Sequence, residues 1–295
     1  MKCFRILLLL LSLSFVNTGK AEDNPAQQPE GLQKIELVSP AEAITPDQSF
    51  YVGLLFTLSP EYHTYWRGPG VVGVAPSFEW NLPQGFHAST PYWPAPEVVD
   101  MVGIEANGYH DEVLFITKIT PPEKIDKEEI TIKLRSAWMA CASSCHPGVG
   151  DFALTIPVRK TDAPVQPNEA MTERFKKTLA AIPPQAPENW KWSIRRHEST
   201  IFLQLELPNA SGRLKQGDIH FFCDDMQVDS DQPQQTEFPH LGDVDFIQQL
   251  SVPDFAPKEP QQLSGLLFNS EGWPGIDSKH IEITIPWPTA PTNHE

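Results

Sequence analysis

The chain has 295 residues with 38 Asp and Glu against 22 Lys and Arg, a formal charge of −16. Acidity on that scale, with no basic cluster, excludes a nucleic-acid-binding role and serves solubility. Length allows two domains with ordinary cores. Thirty prolines among many short alternating runs point to β architecture.

Residues 1–21 read as a signal peptide: Lys2 and Arg5, then an apolar run over 6–13, then a small-x-small site ending at Ala21. The run is too short to span a bilayer, and no later stretch approaches the ~20 apolar residues a spanning helix needs. Removal of this segment takes Lys2, Arg5 and Lys20 with it and moves the formal charge from −16 to −19. The expected mature protein is exported, most simply to a bacterial periplasm, and carries no membrane span.

Residues 22–31 form a polar, proline-containing arm. Strand patterns follow over 33–38, 50–58, 77–80, 86–89, 113–120, 130–138 and 152–158. Seven short strands separated by turn residues predict a sandwich of two antiparallel sheets. Val52, Leu54, Phe56, Leu114, Ile116, Ile132 and Leu134 are expected on its inner faces. Two stretches rich in aromatic residues, 59–70 and 91–110, read as long loops on that scaffold, where binding surfaces usually lie. Residues 161–168 have linker composition, and 169–181 read as a short helix with Asn168 as N-cap and Pro183-Pro184 as its stop. From Trp190 the strand pattern resumes over 191–195, 201–207, 218–222, 244–250, 263–268 and 280–285, a second and smaller β domain. The expected organisation is therefore all-β: signal 1–21, a sandwich domain over 22–160, a linker with a short helix over 161–189, and a second sandwich-like domain over 190–295.

Of the four cysteines, Cys3 precedes the apolar run and leaves with the signal, and Cys223 follows Phe221-Phe222 as a packed residue. That leaves Cys141 and Cys145 in WMACASSCHPG, residues 138–148, between alternating runs that place the pair, exposed, at the turn end of two strands. A bridge between them would close five residues and contribute about 2 kcal/mol, against about 5 for a long loop, so it is a poor staple. Three chemistries compete at such a C-x3-C pair. One is thiol–disulfide exchange, with His146 placed to lower a thiol pKa. Another is Cu(I) binding by Cys141 and Cys145 with His146 or Met139, although adjacency of His146 to Cys145 makes shared coordination awkward. The third is a structural bridge across a turn. No G-x-S-x-G, HExxH or phosphate loop supports a hydrolase or nucleotide-dependent reading.

The runs YWRGPG at 65–70, PSFEW at 76–80, YWPAP at 92–96, Gly108-Tyr109 and Trp138-x2-Cys141-x3-Cys145-x-Pro147 resemble the periplasmic N-terminal domain of DsbD-type thiol:disulfide interchange proteins. They are most similar to the ScsB-like, copper-tolerance-associated variant, and weaker similarity continues through DIHFF at 218–222 and LSG at 263–265. The resemblance implies an immunoglobulin-like sandwich whose cysteine pair passes electrons to or from thioredoxin-fold partners without a bound cofactor, in a family linked to cytochrome c biogenesis. Cys141 and Cys145 would be the redox pair. Tyr65, Trp66, Arg67, Trp93, Trp138 and His146 would form a cap or partner-docking surface. DsbD-type proteins continue into a membrane electron-transferring domain and a thioredoxin-like domain. Neither pattern follows here, so a standalone module served by a separate membrane donor is expected.

Overall fold

A computed structural model describes residues 30–159, 168–208, 214–239 and 243–288. The expected signal peptide, most of the polar arm and the linker sequence 160–167 lie outside the described residues.

In chain order the first domain contains β1 (Leu32–Val38), β2 (Phe50–Leu58), β3 (His63–Gly70), β4 (Glu79–Asn81), β5 (His87–Ala88), β6 (Glu97–Asp100), β7 (Glu105–His110), β8 (Glu112–Thr120), β9 (Glu129–Cys141) and β10 (Cys145–Pro157). Helix α1 (Glu169–Ala180) follows. Then come β11 (Lys191–His197), β12 (Thr200–Glu206), β13 (Ile219–Cys223), β14 (Gln235–Glu237), β15 (Phe246–Ser251), β16 (Gln262–Asn269) and β17 (His280–Pro286).

The first domain is an antiparallel sandwich of the immunoglobulin kind, with one sheet ordered β1-β2-β8-β5 and the other β10-β9-β3-β7-β6, β4 pairing on β9. Strand β9 shows why the sequence settles here. Ile130, Ile132, Leu134, Trp138 and Ala140 alternate inward with Thr131, Lys133, Arg135 and Ala137 outward, which is the period-two pattern a half-solvated sheet requires. Strands β2 and β8 break that alternation because both of their faces are covered. Val52, Leu54, Phe56, Val113 and Phe115 enter the sandwich core. Leu55, Leu114 and Ile116 lie on the opposite face beneath Phe175 of α1, so the expectation that Leu114 and Ile116 face the sandwich interior is corrected. Gly53 makes room for the helix, since a Cβ there would stand 2.6 Å from Leu114 Cδ1 and 3.0 Å from Phe175 Cζ. The helix begins where Asn168 accepts the Met171 N–H at 3.1 Å.

The second β domain stacks the sheets β11-β12-β15-β14 and β13-β16-β17 around Trp190, Leu203, Leu205, Phe221, Phe246, Leu267 and Trp273. It is not an independent bead on the chain. Phe222 and Leu266 point out of it into the core of the first domain, where Phe222 meets fully buried Trp66 edge to face with centroids 6.4 Å apart. Beside this apolar contact, Arg67 Nε donates to Asp224 Oδ2 at 2.9 Å, and its terminal NH2 group pairs with Glu282.

The stretch 59–70, expected as a loop, is largely strand β3. Its residues pair with β7 from His63↔His110 to Tyr65↔Gly108 and again at Gly70↔Ala106, and His63 pairs with Cys141 at the end of β9. Strand β3 therefore runs directly beneath the cysteine hairpin.

Candidate functional site

Strands β9 and β10 are in register along their whole length, from Glu129↔Pro157 to Cys141↔Cys145. That register puts the two cysteines opposite one another at the hairpin end, Cα atoms 4.1 Å apart, with 142–144 as the turn and the Ala142 N–H bonded to the Ser144 carbonyl at 3.1 Å. The sulfurs are joined, S–S 2.01 Å. The expectation of an exposed pair is corrected, because the hairpin end packs against β3 and the β6–β7 hairpin. Cys141 is fully buried, and Cys145 is half-buried at the rim.

Two side chains from elsewhere in the sequence meet Cys145. Met101, at the tip of the β6–β7 hairpin, places its Sδ 3.7 Å from Cys145 Sγ. Neither sulfur carries a hydrogen, so this is a packing contact of polarisable atoms that covers the bridge from outside. From beneath, Tyr65 Oη lies 3.9 Å from Cys145 Sγ, and only the phenol can donate to a bridged sulfur. Tyr65 is completely buried among Val99, Ala106 and Cys141, and burial raises its hydroxyl pKa, keeping it a neutral donor. His63 Nε2 stands 3.3 Å from the same Oη. Burial first, and then neighbouring His110, lower the His63 pKa to about 4, against a smaller opposing pull from Asp100, so the ring is neutral near pH 7. With its proton on Nε2, His63 donates to Tyr65 and leaves the phenol hydrogen free for the sulfur.

The other residues expected at a cap or docking surface are placed as follows. Trp66 is wholly interior and presents nothing to a partner. Arg67 is committed to Asp224 and Glu282 between the domains. Trp93 packs edge-on against Phe115, centroids 4.9 Å apart, and against Phe78. Trp138 is buried against Phe56 and Phe152. His146 turns toward Ser144 Oγ, 2.9 Å from Nε2, and Glu30 Oε2, 3.2 Å from Nδ1, with Tyr62 alongside. Both of its ring nitrogens are thus engaged away from the sulfurs. Met139 packs in the same small cluster as the two cysteines. Among the described residues no three His, Cys, Asp or Glu side chains converge as a metal-binding set. Cys223 is buried with its Sγ 2.8 Å from Asp225 Oδ1, and burial followed by the Asp225 charge pushes its thiol pKa well up, so it is a packed, inert thiol.

Met101 and His63 were not singled out by sequence reasoning. The one local signal for the Met101 arm is Asp100 followed three residues later by Gly103. Asp100 carboxylate oxygens accept the Gly103 N–H at 3.1 Å, and Met101 and Ile104 exchange backbone hydrogen bonds at 2.9 and 3.3 Å across a two-residue turn. Both turn residues have positive φ, Val102 at 56° and Gly103 at 84°. Glycine takes that conformation freely, whereas a β-branched valine takes it under strain. Val98, Val102 and Ile104 make the outer surface of this arm apolar and exposed.

Residues 34–157 match the family described as thiol:disulfide interchange protein DsbD, N-terminal. Among solved structures, the N-terminal periplasmic domain of ScsB from Proteus mirabilis aligns at 20% identity with a TM-score of 0.53, covering 83% of this chain and 91% of that one. The likeness is one of fold, and at that coverage it extends beyond the first sandwich into the second β domain. Collagen adhesin from S. aureus aligns at 7% identity over 87% of this chain and 94% of its own, but with a TM-score of 0.15 it supports no inference. No curated protein matches. Over residues 34–157 the first sandwich is accordingly similar to the N-terminal domain of DsbD thiol:disulfide interchange proteins, in sequence pattern and in fold.

Proposed function

We propose that the chain is a periplasmic thiol–disulfide interchange protein that exchanges a dithiol/disulfide state with thioredoxin-fold partners through Cys141 and Cys145. The observation that carries the reading is a bridge closing only a hairpin turn, with one sulfur interior and the other at the rim. The family match and the fold shared with a periplasmic domain support both the chemistry and the compartment.

Accessibility assigns the roles. A partner thiolate attacks Cys145 Sγ, the Cys141–Cys145 bond breaks, and Cys141 leaves as a thiolate in the protein interior while Cys145 is joined to the partner. The partner's second thiol then attacks its own sulfur in that mixed disulfide. Cys145 is released as a thiolate, the partner gains a disulfide, and two electrons have moved onto this chain with the protons taken up from solvent. Run in reverse, the Cys145 thiolate attacks a partner disulfide and Cys141 resolves it. The Tyr65 hydroxyl is placed to hydrogen-bond the Cys145 sulfur as charge develops there. The apolar outer surface of the Met101 arm, beside Cys145, is the docking surface this reading favours over the interior Trp66 and Trp138.

The test is a trap. Cys141→Ser leaves the reachable sulfur without its resolving partner and should accumulate a mixed disulfide with a thioredoxin-fold protein in the periplasm. Cys145→Ser, which keeps only the interior sulfur, should not. Absence of any trapped species with Cys141→Ser would overturn the reading.

A second reading has one observation in its favour. Reduced Cys141 and Cys145 with Met101 would offer three soft sulfur donors suited to Cu(I), Met101 standing where His146 was expected. Anaerobic Cu(I) titration of the reduced protein decides it, and lack of tight one-to-one binding removes it.

A further inference from the structure

The arm that covers Cys145 is held by the second domain. Strand β7 has β3 on one side and β6 on the other, but the β3 pairing is interrupted between Tyr65 and Gly70 and reaches no further along β7 than Ala106. The next residue toward the tip, Glu105, pairs with Asp100 of β6 and has no β3 residue opposite it. Its backbone groups are met by the second domain instead. Asp231 Oδ1 accepts the Glu105 N–H at 2.8 Å, and Ser230 Oγ donates to the Glu105 carbonyl at 2.8 Å. The same Ser230 oxygen accepts the Val71 N–H at 3.0 Å, so one hydroxyl ties the end of β3 to the start of β7. The approach is close enough to require Gly70, where φ is +93° and a Cβ would stand 2.1 Å from Ser230 Oγ. Behind these contacts the segment is fixed to its own domain. The Asp231 N–H bonds to Asp229 Oδ1 at 3.0 Å, and the Asp229 N–H bonds to the Ser251 carbonyl at the end of β15 at 2.8 Å.

We propose that Ser230 and Asp231 are positioning residues for the disulfide: standing in for the missing strand beside Glu105, they hold the β6–β7 arm so that Met101 stays over Cys145, and thereby set how fast thiols reach that sulfur. This rests on the reading that the Cys141–Cys145 bridge exchanges. It gives the second domain a part in the chemistry although, among the described residues, the side chains packed around the sulfurs all come from the first domain. Ser230 is buried and its bond to the strand end part-buried, so losing it leaves the Glu105 carbonyl poorly satisfied and favours the open arm, while the exposed Asp231 bond adds a second tether that water can replace.

The experiment compares the oxidised wild type with Ser230→Ala/Asp231→Ala, Asp231→Asn and Glu282→Gln. The readouts are the rate of bridge reduction by dithiothreitol and amide hydrogen exchange at Met101 and Ile104. The double variant should be reduced at least about fivefold faster, the factor one net hydrogen bond commands, and should lose protection at both amides. Asp231→Asn keeps an acceptor oxygen and should restore the wild-type rate. Glu282→Gln loosens the same interface at its Arg67 end and should leave the rate unchanged. Unchanged amide protection in the double variant, lost protection without a faster reaction, or equal acceleration by Glu282→Gln would each overturn the inference while the interchange reading stands. A wild-type bridge inert to the dithiol would instead overturn the interchange reading, and the kinetic claim made here with it.

Discussion

At the scale of single residues, the asymmetry between the two cysteines organises the chemistry. Two sulfurs at a turn were legible from spacing and alternation, since C-x3-C between strand patterns already places both at one end of a hairpin. Which sulfur is reachable was not legible, because it depends on residues 44 and 80 positions away in the chain, Met101 and Tyr65, that the sheet register brings to Cys145. Tyr65→Phe keeps the ring and its packing and removes only the hydroxyl that faces the sulfur. Reduction by a small dithiol at neutral pH should slow about fivefold with the thermal midpoint nearly unchanged, as expected for one net hydrogen bond to a developing charge. Stopped-flow tryptophan fluorescence on the two proteins checks this, and equal rates would remove Tyr65 from the chemistry. Met101→Ala acts in the opposite sense. It uncovers the bridge without touching its electrostatics, so dithiol reduction and reoxidation should both accelerate while the equilibrium potential stays fixed. A shifted potential with unchanged rates would show that Met101 tunes the bridge rather than covers it.

At the scale of elements, long alternating runs were read correctly because burial on one face leaves a period-two imprint. Strand β2 is the clearest case, expected over 50–58 and found as Phe50–Leu58. Helix α1 was legible from its Asn168 cap and the Pro183-Pro184 stop, although its docking face was not. Strands β3, β6 and β7 were missed for physical reasons. Pro69, Gly68 and Gly70 give β3 the composition of a loop, yet glycine is required there by close approach of the second domain. A Cβ on Gly68 would stand 2.2 Å from the Cys223 carbonyl. The arm made by β6 and β7 is short, and its tip is apolar on the outside, so no alternation marks it. The helix explains the continuous apolar runs of β2 and β8, since Phe175 covers the outer face that Leu114 and Ile116 would otherwise expose. Phe175→Ala should therefore destabilise the protein by about 3 kcal/mol. Asn168→Ala should cost about 1 kcal/mol through the lost cap. Urea denaturation measures both, and a Phe175→Ala cost below about 1 kcal/mol would mean that α1 does not close this face.

At the scale of the whole molecule, the second domain was legible as a β unit, but its contact with the first was not, because Trp66, Arg67 and Phe222 carry no pattern that says two cores will meet. That contact shapes the response to acid. His220 and His280 flank Phe222, with centroids 4.5 and 6.3 Å from its ring, and burial lowers the pKa of each to about 4. His63, beneath the disulfide, is lowered to the same value. In the unfolded chain all three revert to the ordinary 6.5, so between about pH 6.5 and 4 the unfolded state binds protons that the folded state refuses. Stability is then lost progressively as pH falls through that window. Asp225, whose carboxyl pKa is raised by burial, acts in the opposite direction over the lower part of it, one group against three. At the alkaline end the raised thiol of Cys223 reverses the linkage, because the unfolded thiol ionises while the folded one stays protonated, so stability falls again as pH rises past about 9. The thermal midpoint should thus be highest between about pH 7 and 8.5 and several degrees lower at pH 4.5. The acidic surface alone would give the reverse trend, since protonating carboxylates relieves repulsion in a chain of formal charge −16. Replacing His220 and His280 by Leu separates the two effects. The double variant should keep more of its midpoint at pH 4.5 than the wild type does, relative to pH 7.5. An unaltered acid response in that variant would place the proton-linked loss elsewhere than between the domains.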